Sequence, residues 1–281
     1  MTNDAGTAFL EKTVKAAAEM IPEGVVPGED GLLHCPLCGG AVEYRFSFAG
    51  KERKVPCLCA CGARRREEER LKEEAEQEAI RIERLRAEGI QDKGIRGWNF
   101  ETSEDTSAVR AARSYVRQWP EMRRRNVGLL FWGPVGTGKS YAAACIANEL
   151  IAGGTPVLMT NFSKILNQMG NMYTEERYRY IRSFSNYPLL IIDDLGIERS
   201  TEYAKEQVYA VVDERYKSGL PIIVTTNLTI GEIREPRLLA DARITSRILE
   251  MCVPVNVNGP DRRRAKADGK QELMRELLRK E

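Results

Sequence analysis

The stretch FWGPVGTGKSYAAA, residues 131–144, sets three glycines, a lysine and a serine into eight positions between an apolar run and an alanine-rich one. It fits the pattern G-x-x-x-x-G-K-[ST] from Gly133 to Ser140. The preceding run VGLLFW predicts a strand, and the following YAAACIANELI predicts a helix. Glycines let a backbone curl until several N–H groups face phosphate oxygens, and the helix start adds its positive end. Gly133, Pro134, Val135, Gly136, Thr137 and Gly138 would then form a cradle, with Lys139 reaching the β- and γ-phosphates and the Ser140 hydroxyl ligating Mg2+. This spacing implies a nucleoside triphosphate site.

A triphosphate site needs an acid at the end of a second strand, and LLIIDDLG supplies two. Its apolar residues carry Asp193 and Asp194 to the carboxyl edge of a sheet, where ligands bind in open α/β folds. Asp193 is expected to hold Mg2+, and Asp194 to orient and deprotonate the attacking water. The run PIIVTTN places Asn227 at the same edge, where its amide can hold that water or sense the γ-phosphate. Together VGLLFWG, PVLMT, LLIIDDL, PIIVTTNL and CVPVNV alternate with helical stretches. That pattern predicts an α/β domain with a parallel five-stranded sheet between helices.

The N-terminal third reads differently. Residues 6–20 predict a short helix, and a cysteine-rich module follows from about Leu33 to Gly62. The run ARRREEERLKEEAEQEAIRIERLRAEG is a charged helix ended by Gly89, with a thin apolar stripe of Leu71, Ala75, Ala79, Ile82 and Leu85. The expected domains are 1–62, 63–97 as a charged linker helix and loop, and 98–281. No apolar run reaches 18 residues and the first residues lack a signal layout, so a soluble, cytoplasmic protein without membrane association is expected. A net charge of +2 excludes blanket nucleic-acid affinity while leaving room for local basic patches.

Five of the seven cysteines fall between Cys35 and Cys61, too clustered and too odd in number for a disulfide framework. LHCPLCGG is a C-x-x-C turn that suits Zn2+ through Cys35 and Cys38, and four-coordinate zinc needs two more thiols from Cys57, Cys59 and Cys61. His34 reads as a bystander. Tyr44, Phe46 and Phe48, with Arg45, Lys51 and Arg53, suit either a nucleic-acid-binding zinc ribbon or a two-stranded hairpin with its own small core, and the hairpin is the reading preferred.

From GPVGTGKSYAAACIANEL, IIDDLGIE, IIVTTNL, AEGIQDKGIRGWNFE and ARITSRILEMCVPVNVNGPDRRRAKA, residues 90–265 resemble AAA+ ATPases, and more narrowly bacterial and phage replicative helicase loaders of the DnaC/DnaI type, a group that includes IstB. The resemblance implies an ATP-dependent loader that places a replicative DNA helicase hexamer on single-stranded DNA. It also implies weak ATP hydrolysis by the isolated subunit and self-association through the ATPase domain. Asn227 becomes sensor 1, Arg263 sensor 2, and Arg247 an arginine finger offered in trans, with Arg243 and Arg262 one register away. The P-C-x-C habit of these loaders points to Cys57 and Cys59 as the second zinc pair, Cys61 being the substitute. Helicase docking falls to the cysteine module and charged helix. An IstB-like transposition ATPase, and an ATP-gated switch with little turnover, are the alternatives.

Two basic stretches remain. NMYTEERYRYIRSFSNY interleaves Tyr173, Tyr178 and Tyr180 with Arg177, Arg179 and Arg182, a composition that suits either single-stranded DNA or an amphipathic helix with buried tyrosines. RAARSYVRQWPEMRRR carries six arginines and one glutamate on a second basic face.

Overall fold

The computed structural model describes residues 23–48, 50–196, 201–236 and 238–278; the helix expected over 6–20 lies outside them. The chain forms two compact units, Met1–Ile80 and Arg81–Glu281. The division falls inside one continuous helix, α1 (Ala60–Gly89), rather than after residues 62 and 97. The reason is local: Ile82, Leu85 and Ile90 already pack with the core of the second unit.

In the first unit, β1 (Val26–Pro27) pairs antiparallel with β2 (Leu33–His34), and β3 (Glu43–Phe48) pairs antiparallel with β4 (Lys51–Pro56). Its buried core is Cys35, Val42 and Cys59, flanked by Val25, Leu33 and Cys61. A core this small does not fold by apolar burial alone, so another crosslink is required. The charged stretch of α1 here is solvated and braced by pairs three or four residues apart, such as Arg70 with Glu67 and Glu74.

The second unit holds α2 (Ser107–Arg117), α3 (Trp119–Arg124), β5 (Gly128–Trp132), α4 (Lys139–Ala152), β6 (Val157–Thr160), α5 (Phe162–Met169), α6 (Thr174–Ser183), β7 (Leu189–Leu195), α7 (Glu202–Ser218), β8 (Ile222–Thr226), α8 (Ile230–Arg234), α9 (Leu239–Met251), β9 (Cys252–Asn256) and α10 (Arg262–Leu278). The five strands, all parallel, lie in the order β6-β7-β8-β5-β9. Each central strand is buried on both faces over its first residues, which is why GLLF, LLII and IIV read as continuous apolar runs before polar residues appear at the carboxyl ends of β7 and β8. Leu129, Phe131, Ile191 and Ile223 pack on one side with α2 and α4; Leu130, Leu190, Ile192 and Val224 pack on the other with α5, α7 and α9. The β5–α4–β6 connection passes over β8 and β7, so the carboxyl ends of β5, β7 and β8 open at a topological switch point.

Candidate functional site

The loop between β5 and α4 turns through three positive φ angles, 138° at Gly133, 78° at Gly136 and 102° at Gly138. Side chains with a Cβ rarely adopt these angles, so the curl depends on glycine at these positions. Gly138 directly precedes Lys139, the first residue of α4. Lys139 is buried and donates its Nζ to the carbonyls of Gly133 at 2.8 Å and Pro134 at 2.6 Å; the Thr137 hydroxyl closes the turn on Pro134 O at 2.9 Å. Burial pulls the Lys139 pKa down, against the opposing pull of Asp194 and Asp193.

β7 brings both aspartates to this loop. Pairing of β7 with β8 shifts register between Ile192 and Leu195, and Asp194 sits at that irregularity with φ 66°. A non-glycine residue in that region is strained, and such residues concentrate at functional sites. The Thr225 hydroxyl donates to Asp193 Oδ1 at 2.6 Å and accepts from the Asp194 N–H at 2.8 Å. Asn227 Nδ2 donates to Asp194 Oδ1 at 2.9 Å. Burial, then the adjacent Asp193 charge, raise the Asp194 pKa, opposed by Lys139, Arg263 and the Asn227 hydrogen bond.

These groups line a single cleft of about 890 Å3 that also holds Val135, Gly136, Gly138, Ser140, Arg262 and Arg263. Its far wall comes from the approach segment, where the buried Asn148 donates to the carbonyls of Ile95 and Trp98, both at 2.9 Å. Trp98 packs its ring 5.2 Å from that of Tyr141, whose hydroxyl donates to Asn99 O at 2.8 Å. Arg262 reaches across to Glu104 Oε2 at 2.9 Å. Of these, Thr225 had a signal in the sequence, since it lies in the run PIIVTTN two residues before Asn227. Trp98, Glu104 and Tyr141 had none, because their approach to the loop depends on tertiary packing.

Arg247, expected to serve a neighbouring copy, is not among the residues lining this copy's cleft. Its guanidinium lies 2.8 Å from Asp213 Oδ1, donates to the Tyr209 hydroxyl at 2.8 Å and stacks over the Tyr209 ring at 4.7 Å. Arg243, one turn earlier on α9, is exposed. On α6 the arginine–tyrosine pattern divides. Tyr173 and Tyr178 are 82% and 60% exposed, whereas Tyr180 is half-buried with its hydroxyl on Gln168.

In the first unit the sulfurs of Cys35, Cys38, Cys59 and Cys61 lie within 4.8 Å of one another. Tetrahedral zinc with Zn–S bonds of about 2.3 Å places its sulfurs about 3.8 Å apart, so this quartet fits Zn2+. Hydrogen bonds from the N–H groups of Gly40 and Cys61 hold the Cys38 thiol down at about 6, while hydrogen bonds to the sulfurs of Cys59, Cys35 and Cys38 push the Cys61 thiol up to about 12. Cys57, expected in the ligand set, stands outside it: its thiol lies 3.7 Å from Ala41 O and its N–H closes the hairpin base on Val42 O at 2.8 Å. The strand has ended at Pro56, and the first turn of α1 curls Cys61 back beside Cys59 instead.

Known proteins bear on this geometry. A family model described as "IstB-like ATP binding protein" matches residues 66–268. The chain is 30% identical over 169 residues to the replicative helicase loader DnaC of Escherichia coli (strain K12), covering 57% of this chain and 67% of that one. It is 28% identical over 150 residues to the replicative helicase loader DnaI of Bacillus subtilis (strain 168), covering 48% of this chain and 47% of that one. The crystal structure of DnaI shares the fold, with a TM-score of 0.52 at 24% identity over 64% of this chain and 99% of that chain. Because the family match runs from α1 through the approach segment and the glycine loop to the arginines of α10, the chain belongs to the IstB-like ATP-binding proteins, within the AAA+ group shared with the DnaC-type loaders.

Proposed function

We propose that this chain is an ATP-dependent loader of a replicative DNA helicase. The observation that carries the reading is the similarity to DnaC, which extends over 169 residues of a chain whose glycine loop and strand-end acids meet in one cleft. In that cleft Lys139 would exchange the carbonyls of Gly133 and Pro134 for phosphate oxygens of ATP, a replacement of neutral acceptors by anionic ones. Ser140 and Asp193 would hold Mg2+, which neutralises charge on the phosphates when bound. Asp194, steadied by Asn227, is placed to orient a water and accept its proton, and its raised pKa makes it a better base than an ordinary aspartate. Thr225 fixes Asp193 and the Asp194 backbone together, which makes it a positioning residue. Arg263 faces the same cleft as the sensor arginine.

Hydrolysis would be completed by an arginine from a second copy. We assign the finger to Arg247, which would exchange Asp213 and Tyr209 for a neighbouring copy's phosphate; the exposed Arg243, one turn earlier, is the alternative. The exposed Tyr173 and Tyr178 beside Arg177 and Arg182 suit single-stranded DNA. The zinc-holding unit and the charged part of α1 are assigned to the helicase.

The test is gel filtration of the full chain with the replicative helicase hexamer of its host, in ATP and Mg2+, beside the Lys139→Ala variant. The expected result is co-elution of the unaltered chain together with faster helicase placement on a single-stranded circle. Lys139→Ala should lose ATP binding and that acceleration. Undiminished ATP affinity without any helicase association would reject the loader reading and leave an IstB-like ATPase acting on another partner.

A further inference from the structure

The hairpin of the first unit presents a face that its own core does not use. Register pairs Tyr44 with Val55, Phe46 with Arg53 and Phe48 with Lys51, so these positions share one side of the ribbon. The small core of this unit contains neither Tyr44 nor Phe46; it is built from Cys35, Val42 and Cys59. Tyr44 is 63% exposed and Phe46 is half-buried. The expected hairpin is present, but those two rings do not form the core expected of it.

The two sides of the ribbon also differ in how their charges are used. On the opposite side, Arg45 donates to Asp30 O at 2.7 Å, and Lys54 donates to Gly31 O and lies 3.9 Å from Glu43. Those cations tie the hairpin to the β1–β2 turn. On the aromatic side Lys51 and Arg53 are exposed and form no ion pair among the described residues. The ribbon springs from the cysteine quartet, with Cys57 N–H on Val42 O at its base, so its base is fixed while its tip is presented.

We infer that this face binds single-stranded nucleic acid, with bases stacked on Tyr44 and Phe46 and the backbone phosphates neutralised by Arg53 and Lys51. Aromatic rings alternating with unpaired cations across a ribbon match the two surfaces of an unpaired strand, its base faces and its phosphates. An apolar protein partner would use the rings but would bury Lys51 and Arg53 against the cost of desolvating them. The inference rests on the hairpin alone and does not require the loader reading or the ATPase cleft.

The test uses the full, zinc-loaded chain without nucleotide and a fluorescent twenty-residue oligothymidylate. Tyr44→Ala and Phe46→Ala should each weaken binding about 5- to 100-fold, and Tyr44→Phe should restore it, since stacking needs the ring and not the hydroxyl. Lys51→Ala with Arg53→Ala should flatten the slope of log affinity against log salt by about 1.4, roughly 0.7 for each phosphate no longer neutralised. Photocrosslinking of the same oligomer with 5-iodouracil should map to the peptide containing Tyr44 and Phe46. Zinc content equal to that of the unaltered chain shows that the variants remain folded. Crosslinks confined to the ATPase unit, or variants that bind DNA normally while losing helicase co-elution, would overturn the inference.

Discussion

Asp194 shows how a single residue can carry both function and strain. It holds a left-handed backbone angle of 66°, sits at a register shift and lies beside another carboxylate. Its pKa is raised by burial and by Asp193, so its ionised form weighs against the folded state at neutral pH. That unfavourable contribution is present above the raised pKa and disappears on protonation. Asp194→Asn should therefore raise the melting temperature of the nucleotide-free protein, the more so because asparagine tolerates this backbone region. The same change should leave ATP affinity intact and reduce hydrolysis by about 10²–10⁴-fold, as measured by calorimetric melting, nucleotide titration and phosphate release. In the unaltered protein, hydrolysis should fall on acidification at a higher pH than an ordinary aspartate would set. The paired acids were legible in LLIIDDLG, but the bulge, the angle and the grip of Thr225 were not, because each depends on β8 as a neighbour.

At the scale of elements, the ends of the strands opposite the cleft are gathered by one buried cation. Arg215, in the last turn of α7, donates to the carbonyls of Phe184 at 3.2 Å, Tyr187 at 2.8 Å, Pro188 at 2.9 Å and Pro221 at 2.7 Å. These carbonyls stand just before β7 and β8, so one guanidinium fixes where both strands begin. Burial lowers its pKa to about 9, and it remains charged at neutral pH. Arg215→Met fills similar space but leaves those acceptors unpaired, at about 1–3 kcal/mol for each that stays buried, so urea unfolding should register a loss of at least about 3 kcal/mol. The start of the approach segment is equally demanding. A Cβ on Gly89 would lie 2.0 Å from Val157 O, where Ile90 pairs with Met159 at the edge of β6. The strands and helices themselves were readable from period and propensity; these ties were not, since an arginine in a charged helix looks solvated until its neighbours are placed.

For the whole molecule, the two units rest on different physics, one on an apolar double layer and one on a thiol cluster. Chelation should therefore melt the first unit, seen as new protease cleavage before Ile80, while ATP affinity stays within about twofold. Zinc stoichiometry should drop with Cys61→Ala and hold with Cys57→Ala; the reverse would return Cys57 to the ligand set. Among the described residues no helix is long and apolar enough to cross a membrane. The parallel sheet, the phosphate loop, the paired acids and the presence of a thiol cluster are all readable from the chain's residues, because local spacing and residue chemistry suffice for each. That Cys61 rather than Cys57 joins the sulfur cluster, that Arg247 is held by Asp213 while Arg243 is exposed, and that Tyr44 faces solvent emerge from the folded chain alone. Those outcomes depend on which atoms meet across the chain, and a one-dimensional pattern does not contain such distances.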